Sequence, residues 1–298
     1  MPLTDLTIEV FLILRHAFFG KNGAPKTFTL RDKRNTQDDP LDEYIAKVLS
    51  RQLKGIICQR SPGPLISPDF VIYRPDDCLG MPRSALQSDS TRIVAVEVKK
   101  LQRQKSGQVA RSTGLDYNTT PPCGTVRVYD ADDAPLDIRG FYLFACQEQT
   151  GKGTYFLSAL ALCDGNVINA DFKLYLSSTG QRQKGIGLGT YGDGFNRQRP
   201  MMVFANPLGA AQLDHATTLV GDAPASEVDA RLGLVYQIGR TIPEGGQGFF
   251  FAYRAPNDIP RGWEVQHLLD PFPKPLTRVA TTQARGRFRL PLRLSEEK

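Results

Sequence analysis

The chain has 298 residues, of which 41% are hydrophobic, and it carries a formal net charge of +6 with an isoelectric point of about 9.1. This length is enough for a substantial core, and the basic balance favours a polyanionic partner over an acidic one. Its five cysteines are odd in number, scattered and without Cys-x-x-Cys spacing, which excludes a disulfide framework or a cysteine zinc site.

An apolar run from Leu6 to Phe19 opens the chain, but three ionisable residues interrupt it and no basic leader precedes it. It therefore fits neither a signal peptide nor a membrane span, and we expect a cytoplasmic protein without a membrane partner. Thr7 to Phe19 is expected to form a buried helix or strand that stops at Gly20.

The clearest predicted helix begins at Asp39-Pro40, where Asp39 can cap the N-terminus and Pro40 suits the first helical position. Apolar residues then recur at helical spacing until Gly55: Leu41, Tyr44, Ile45, Val48, Leu49 and Leu53. Glu43 lies opposite this stripe and four residues before Lys47, which favours a solvated ion pair between them.

Two compact apolar runs carry acidic residues that a buried strand would not otherwise hold, namely Ser67 to Tyr73 and Arg92 to Lys100. Alternation puts three valines on one face of the second strand: Val94, Val96 and Val98. Glu97 and Lys99 then project side by side from the other face. If the first run pairs beside the second, Asp69 comes next to Glu97, and two carboxylates and one ammonium converge at the strand ends.

This arrangement predicts a magnesium site. Mg²⁺ takes oxygen ligands and is usually held by one or two protein carboxylates together with phosphate oxygens and water. Asp69 and Glu97 supply the carboxylates, and the carbonyl of Val98 can add a further oxygen. Lys99 would face the attacking water and the charge that develops on the phosphoryl oxygens.

Pro68-Asp69 followed by Glu97-x-Lys99 on apolar strands resembles the motif of the PD-(D/E)XK nuclease superfamily, and most of all that of a type II restriction endonuclease. The resemblance covers roughly the first half of the chain. It implies that Asp69 and Glu97 bind Mg²⁺ and that Lys99 assists the water. An acidic residue from a preceding helix sometimes joins such sites, which makes Glu43 a candidate although its helical wheel argues against it.

The resemblance also implies an α/β (α+β) fold, with a restriction-endonuclease-like mixed central β-sheet flanked by helices and additional β-rich elaborations. We expect one domain over residues 1–298, with its catalytic core at about 40–176 and with 177–298 serving DNA recognition or dimerisation. Residues 76–91 read as a long linker between antiparallel neighbours of a β-meander. Later strands are expected at Phe141 to Cys146, Tyr155 to Cys163, Phe172 to Leu176, Met201 to Phe204, Phe249 to Tyr253 and Arg287 to Leu294.

Some features of the sequence leave alternatives open. Pro75-Asp76 and the terminal Glu296-Glu297-Lys298 repeat parts of the motif in a polar turn and in a charged tail, whereas Asp171-Phe172-Lys173 lies beside an apolar stretch and remains a competing site. Residues 227–238 fit a helix or a strand. The acidic turn that contains Asp130 is expected to be solvated.

Three basic segments are candidates for DNA contacts: Lys100, Arg103, Lys105, Arg111 and Asn118; Lys184, Arg197 and Arg199; and Arg287 and Arg289. Arginine can read guanine and asparagine adenine, so Arg111 and Asn118 are conceivable base readers, although phosphate contacts are commoner. Arg287 and Arg289 alternate with apolar residues, which fits a groove wall or a solvated sheet edge.

The sequence and the resemblance together predict a Mg²⁺-dependent, sequence-specific endonuclease that hydrolyses phosphodiester bonds of double-stranded DNA. A homodimer is expected, because a palindromic site calls for two symmetric active sites, and the family implies a cognate DNA methyltransferase. Two alternatives stay open, a structure-selective repair or recombination nuclease and a non-catalytic basic DNA-binding protein in which the strand acids are structural.

Overall fold

A computed structural model describes residues 3–35, 38–63, 66–103, 109–110, 117–118, 124–168, 170, 195–197, 199–200, 217–221, 229–241, 247–271, 282–284 and 286–295. Its helices include α1 (Leu6–Phe18), α2 (Pro40–Gln52), α3 (Pro75–Cys78), α4 (Arg83–Leu86) and a 3-10 turn at Pro256–Asp258. The strands are β1 (Phe28–Thr29), β2 (Ile57–Arg60), β3 (Phe70–Tyr73), β4 (Ile93–Arg103), β5 (Val109–Ala110), β6 (Tyr117–Asn118), β7 (Thr125–Tyr129), β8 (Pro135–Gly151), β9 (Thr154–Asp164), β10 (Phe195–Arg197), β11 (Arg199–Pro200), β12 (Thr217–Gly221), β13 (Gly233–Thr241), β14 (Gln247–Arg254), β15 (Gln266–Pro271) and β16 (Thr282–Ala284).

Twelve of these strands form one mixed sheet, whose main path runs β15-β13-β14-β12-β9-β8-β4-β3-β2. β1, β5 and β7 pair at its side with β9, β4 and β8, respectively. The pairs β4–β8, β9–β12 and β13–β15 are parallel, whereas β2–β3, β3–β4 and β8–β9 are antiparallel. The described chain is thus a mixed α/β fold with a large central sheet and few helices, as predicted at this coarse level. Strands beyond residue 176 extend the same sheet.

The apolar run near the N-terminus folds as the helix α1. The Asp5 side chain caps it by accepting a 2.8 Å hydrogen bond from the amide of Thr7, and the backbone turns extended at Phe19, one residue before the predicted stop. Phe11 and Phe18 are fully buried in a core that α1 shares with α2 and with one face of the sheet. Every helix within the described ranges is too short or too polar to cross a membrane.

Helix α2 begins as predicted. The Asp39 side chain accepts a 3.1 Å hydrogen bond from the amide of Leu41, and Pro40 occupies the first turn. The predicted Glu43–Lys47 ion pair is wrong, because Glu43 Oε2 instead accepts hydrogen bonds from Nε and Nη2 of Arg31 at 2.9 and 2.6 Å. The planar guanidinium offers several donors in one fork, which a flexible ammonium does not.

The predicted β-meander is confirmed, since β2, β3 and β4 are antiparallel neighbours. The predicted linker between β3 and β4 contains the short helices α3 and α4. The predicted alternation along β4 is also confirmed: Val94 and Val96 contribute to the core under α1 and α2, whereas Ile93 and Ala95 contribute to a second core on the opposite face. The strand is buried on both faces, which is typical of a central strand.

Among the later elements, β8 and β9 include the two predicted strands and are longer, and β14 includes the predicted strand at 249–253. Residues 227–238 resolve into a strand, since β13 begins at Gly233. The strand predicted at 287–294 is wrong, because this segment forms only an isolated bridge between Arg289 and Tyr129 while Phe288 and Leu290 are buried beside it. The strands predicted at 172–176 and 201–204 lie outside the described residues.

Asp132 and Asp133 of the acidic turn are exposed as expected, but Asp130 is not. Its side chain is fully buried, where it accepts hydrogen bonds from the backbone amides of Asp132 and Ala134 and forms a 2.5 Å ion pair with Arg83. A short acidic side chain readily satisfies the amides of its own turn, and the guanidinium offsets its charge.

Candidate active site

The predicted site residues lie at one end of the β3–β4 ladder. Phe70 is paired with Val96, so that Asp69, which immediately precedes β3, comes opposite Glu97. The backbone amide of Val98 donates a 2.7 Å hydrogen bond to Oδ2 of Asp69. The sequence placed these two carboxylates on neighbouring strands, and the structure brings them to the same end of the sheet.

Glu97 and Lys99 form a buried ion pair. Nζ of Lys99 lies 2.8 Å from Oε1 of Glu97, and the two side chains are only 5% and 9% exposed. The second oxygen of Glu97, Oε2, is buried and has no hydrogen-bond partner among the residues that the structure describes. A buried carboxylate oxygen that lacks a donor is costly, so its position calls for a bound cation or another donor.

Asp42 is the acidic residue that the sequence analysis missed. It lies in the first turn of α2, and its pKa rises to about 7 because of burial and then because of the neighbouring Asp39 and Glu97. Its spacing in the sequence could have identified it. Asp42 precedes Ile45 by three residues and Leu49 by seven, which puts it at the buried face of the helix.

Glu43, the helix acid that the family resemblance made a candidate, points elsewhere. It is 47% exposed and its carboxylate binds Arg31. One position along a helix rotates a side chain by about 100°, so Asp42 and Glu43 face different surroundings. Glu43 is thus directed to Arg31, in agreement with the helical wheel that argues against its taking part in the site.

The neighbouring carboxylates affect the pKa of Asp69. Its pKa lies well above the ordinary value because of burial, followed by the charges of Glu97 and Asp42, which Lys99 and the Val98 amide offset in part. Carboxylates that share a buried site resist joint ionisation unless a cation neutralises them.

A cavity of about 620 Å³ opens onto these carboxylates. Its lining residues are Arg34, Asn35, Asp38, Asp39, Asp42, Arg60, Ser61, Pro62, Gly63, Ile66, Ser67, Asp69 and Glu97. Asp38 forms an ion pair with Arg31. Asp39 caps α2, and its Oδ1 lies 3.8 Å from Nζ of Lys100. The volume falls in the range of small-molecule sites.

The donor set fits a divalent cation such as Mg²⁺. Within the described ranges, no three His, Cys, Asp or Glu side chains form a complete metal-binding group. Asp69 and Glu97 would instead supply two carboxylates, and water or substrate oxygens would complete an octahedron. The carbonyl of Val98 is a further donor, because the N–H and C=O of a strand residue point to the same side and its N–H points to Asp69.

The described residues among the predicted DNA contacts lie on several different elements. Arg287 and Arg289 are exposed and pair with Asp133 at 3.1 and 2.9 Å. Two strands that carry predicted contacts are paired, since Arg199 of β11 lies opposite Asn118 of β6. Arg103 and Arg197 lie in β4 and β10, whereas Lys105, Arg111 and Lys184 lie outside the described residues, as does the competing site at Asp171 to Lys173.

No protein family model matches this chain, and no solved structure matches it. The chain is 27% identical over 146 residues to a nucleoside triphosphate pyrophosphatase from Synechococcus sp. (strain JA-3-3Ab). The match covers 46% of this chain and 71% of that protein. The similarity agrees with an enzyme of the hydrolase class.

The predicted function is corrected by this similarity. A nucleoside triphosphate pyrophosphatase has a hydrolase activity different from that of a DNA endonuclease, so the prediction of a type II restriction endonuclease, with its restriction-modification context, is wrong. The alternative prediction of a structure-selective DNA nuclease is contradicted by the same similarity. The alternative of a non-catalytic DNA-binding protein does not agree with similarity to a hydrolase. The predicted partners, namely double-stranded DNA, a second copy of the chain and a DNA methyltransferase, stay predictions.

Proposed function

We propose that this protein is a divalent-metal-dependent hydrolase that cleaves nucleoside triphosphates to nucleoside monophosphate and pyrophosphate. The observation that carries the proposal is the meeting of Asp69 and Glu97 at a cavity of small-molecule size, with Lys99 bonded to Glu97. The similarity to a nucleoside triphosphate pyrophosphatase supports the choice of substrate.

The protein's own groups divide the work. Asp69 and Glu97 would hold the cation, which would acidify water and neutralise phosphoryl charge. Lys99, bonded to Glu97, supplies a positive charge that offsets the negative charge developing on the α-phosphoryl oxygens. A water oxygen forms a bond to the α-phosphorus as the bond from phosphorus to the bridging oxygen breaks, and pyrophosphate leaves with the electron pair.

Asp42 accepts the proton that the water gives up. It lines the cavity together with Asp69 and Glu97, and a positioned carboxylate can take this proton and later release it. The similarity of the motif to the PD-(D/E)XK superfamily supports the arrangement of Asp69, Glu97 and Lys99 alone. It does not imply a DNA substrate.

Product analysis tests the proposal. The purified protein is incubated with each ribonucleoside and deoxyribonucleoside triphosphate, with Mg²⁺ or with EDTA, and monophosphate and pyrophosphate are quantified. We expect equal amounts of the two products with Mg²⁺ and none with EDTA. Release of orthophosphate from the γ-position, or cleavage of plasmid DNA without turnover of any triphosphate, would overturn the proposal.

Matched lysine variants connect the activity to the site. Lys99→Met removes the ammonium from the site and should lower kcat by about 100-fold or more, in line with the loss of an electrostatic group at the reacting oxygens. Lys54→Met removes an exposed lysine beyond α2 and should leave kcat unchanged. Equal activity of the two variants would remove Lys99 from the mechanism.

A further inference from the structure

We propose that Arg60 binds the β- and γ-phosphates of the substrate and thereby selects triphosphates over monophosphates, an inference that rests on the proposed function. Arg60 ends β2, where it is paired with Phe70 of β3. The next residue, Ser61, donates its amide to the carbonyl oxygen of Asp69 at 2.8 Å. Arg60 is therefore anchored one strand away from the carboxylate that holds the cation.

The distance between these two positions suits the ligand. Adjacent strands lie about 4.8 Å apart, and the arginine side chain extends well beyond its own Cα. Its guanidinium can then reach the β- and γ-phosphates of the substrate when the α-phosphate lies at Asp69 and Glu97. Arg60 and Asp42 are close enough for the positive charge of Arg60 to offset part of the rise in the pKa of that carboxyl.

The charge of the substrate requires a cation at this place. A nucleoside triphosphate carries more negative charge than one divalent cation offsets, and the carboxylates of the cavity add to the excess. Of the described residues that line the cavity, Arg34 and Arg60 are the cationic ones. Lys99 is not a lining residue of this cavity; it is buried and bonded to Glu97.

Arg60 has donors to spare. Its side chain is 41% exposed, and the distance from its Nη1 to Oε2 of Glu43 is long for an ion pair, at 3.9 Å. That oxygen already accepts two shorter hydrogen bonds from Arg31. The planar fork of an arginine binds two phosphate oxygens at once, which makes it well suited to a polyphosphate.

Arg34 is a weaker choice for the same role. It lies in the irregular segment before α2, and its backbone amide is bonded to Asp38. A side chain on a paired strand is held more firmly in place than one on a loop, and a precise phosphate contact needs that support. Arg60 is therefore the residue that the geometry selects.

The test measures binding without turnover. An α,β-methylene nucleoside triphosphate, which the proposed reaction cannot cleave, is titrated by calorimetry in the presence of Mg²⁺ into the wild-type protein and into Arg60→Gln. We expect the variant to bind the analogue about 10- to 100-fold more weakly, the usual range for a lost hydrogen bond between charged groups. Binding of nucleoside monophosphate should change by less than about threefold, because its single phosphate stays at the metal.

Two further variants frame this result. Arg261→Gln removes an exposed arginine in a turn outside the cavity and should bind the analogue like the wild type. Arg60→Lys keeps the charge but loses the fork, so its affinity should fall between those of the other two proteins. If Arg60→Gln fails to fold, Arg60→Lys replaces it in the test. Arg60→Lys is still expected to lose affinity for the triphosphate and not for the monophosphate.

The outcomes separate this inference from the proposed function. Equal affinity of the wild-type protein and Arg60→Gln for the analogue overturns the role of Arg60, even if the wild type hydrolyses triphosphates. Failure of the wild type to bind the analogue does so as well. A wild-type protein that hydrolyses no triphosphate, yet loses affinity for the analogue in Arg60→Gln, overturns the proposed function and supports the assignment of Arg60 as a triphosphate-binding residue.

Discussion

The amide of Val98 donates a 2.7 Å hydrogen bond to Oδ2 of Asp69. This contact joins the start of β3 to β4, and it orients the carboxylate at the cavity. Because an amide donor favours the ionised carboxylate, it also opposes the effect of burial, which raises the pKa of Asp69. The site is thus held together by the strand ladder before any ligand arrives, and the following predictions concern the charges that it concentrates.

Divalent cations should stabilise the protein through Asp69. A ligand that binds only the folded state raises the free energy of unfolding in proportion to the logarithm of its concentration over its Kd. We expect the wild-type Tm to rise with added Mg²⁺ or Mn²⁺, and Asp69→Asn to lose most of this rise. Asp76→Asn, an exposed aspartate that follows Pro75 in the second Pro-Asp pair, is the matched control. A cation-dependent shift of equal size in both variants would contradict a metal site at Asp69.

Removal of Lys99 should destabilise the fold as well as the reaction. In Lys99→Met, Glu97 is left buried and without its 2.8 Å partner, and breaking a buried ion pair from one side costs about 3–5 kcal/mol. Urea denaturation without metal measures this loss. The double variant Glu97→Gln/Lys99→Met also removes the charge of Glu97 and should recover a large part of this loss. A double variant that is as unstable as Lys99→Met would show that lost packing, rather than the orphaned carboxylate, causes the effect.

Asp42 should make stability depend on pH in the direction opposite to that of a paired carboxylate. Its pKa is raised from 3.8 to about 7, so the folded state holds the proton more tightly than the unfolded state does. The stability associated with this proton is therefore complete below about pH 3.8 and is lost as the pH rises to about 7.

Asp42→Asn, which stays neutral, tests the sign of this effect. It should raise the free energy of unfolding at about pH 8 in EDTA, by on the order of 1 kcal/mol, and change it little at about pH 4.5. Thermal unfolding at both pH values measures the difference, and added Mg²⁺ should reduce the advantage of the variant at high pH. A variant that is less stable than the wild type at high pH in EDTA would reverse the assigned sign.

A second buried ion pair, far from the cavity in sequence, should dominate the stability of the N-terminal helix. Arg15 of α1 is 2% exposed, and its Nε donates a 3.0 Å hydrogen bond to Oδ2 of Asp258, which is 8% exposed. Arg15→Met leaves this aspartate buried without its guanidinium and should cost about 3–5 kcal/mol in urea denaturation. Asp258→Ala added to Arg15→Met should restore part of the loss. If Arg15→Met costs no more than a surface substitution, the pair contributes little to the fold.

Local sequence patterns were sufficient to predict those elements whose structure depends on a hydrophobic period or on a helix cap. The Asp39-Pro40 start of α2, the alternation along β4 and the pairing of β3 with β4 are all local or near-neighbour features. They determined that Asp69, Glu97 and Lys99 belong to one end of the sheet. The pattern could not decide the substrate, because the same carboxylates and lysine serve any reaction at phosphorus, and a family resemblance at this level adds fold and chemistry but not the ligand.

Only the tertiary structure decided which other side chains reach this end of the sheet. The packing of α2 against the sheet brings Asp42 to the carboxylates and sends Glu43 to Arg31, although the two are adjacent in the sequence. The same holds for Arg60, whose nearness to Asp69 depends on the β2–β3 register, and for Asp130, whose burial depends on Arg83. Sequence period determines on which face of an element a residue lies, but contacts between elements distant in the chain depend on how those faces pack in three dimensions.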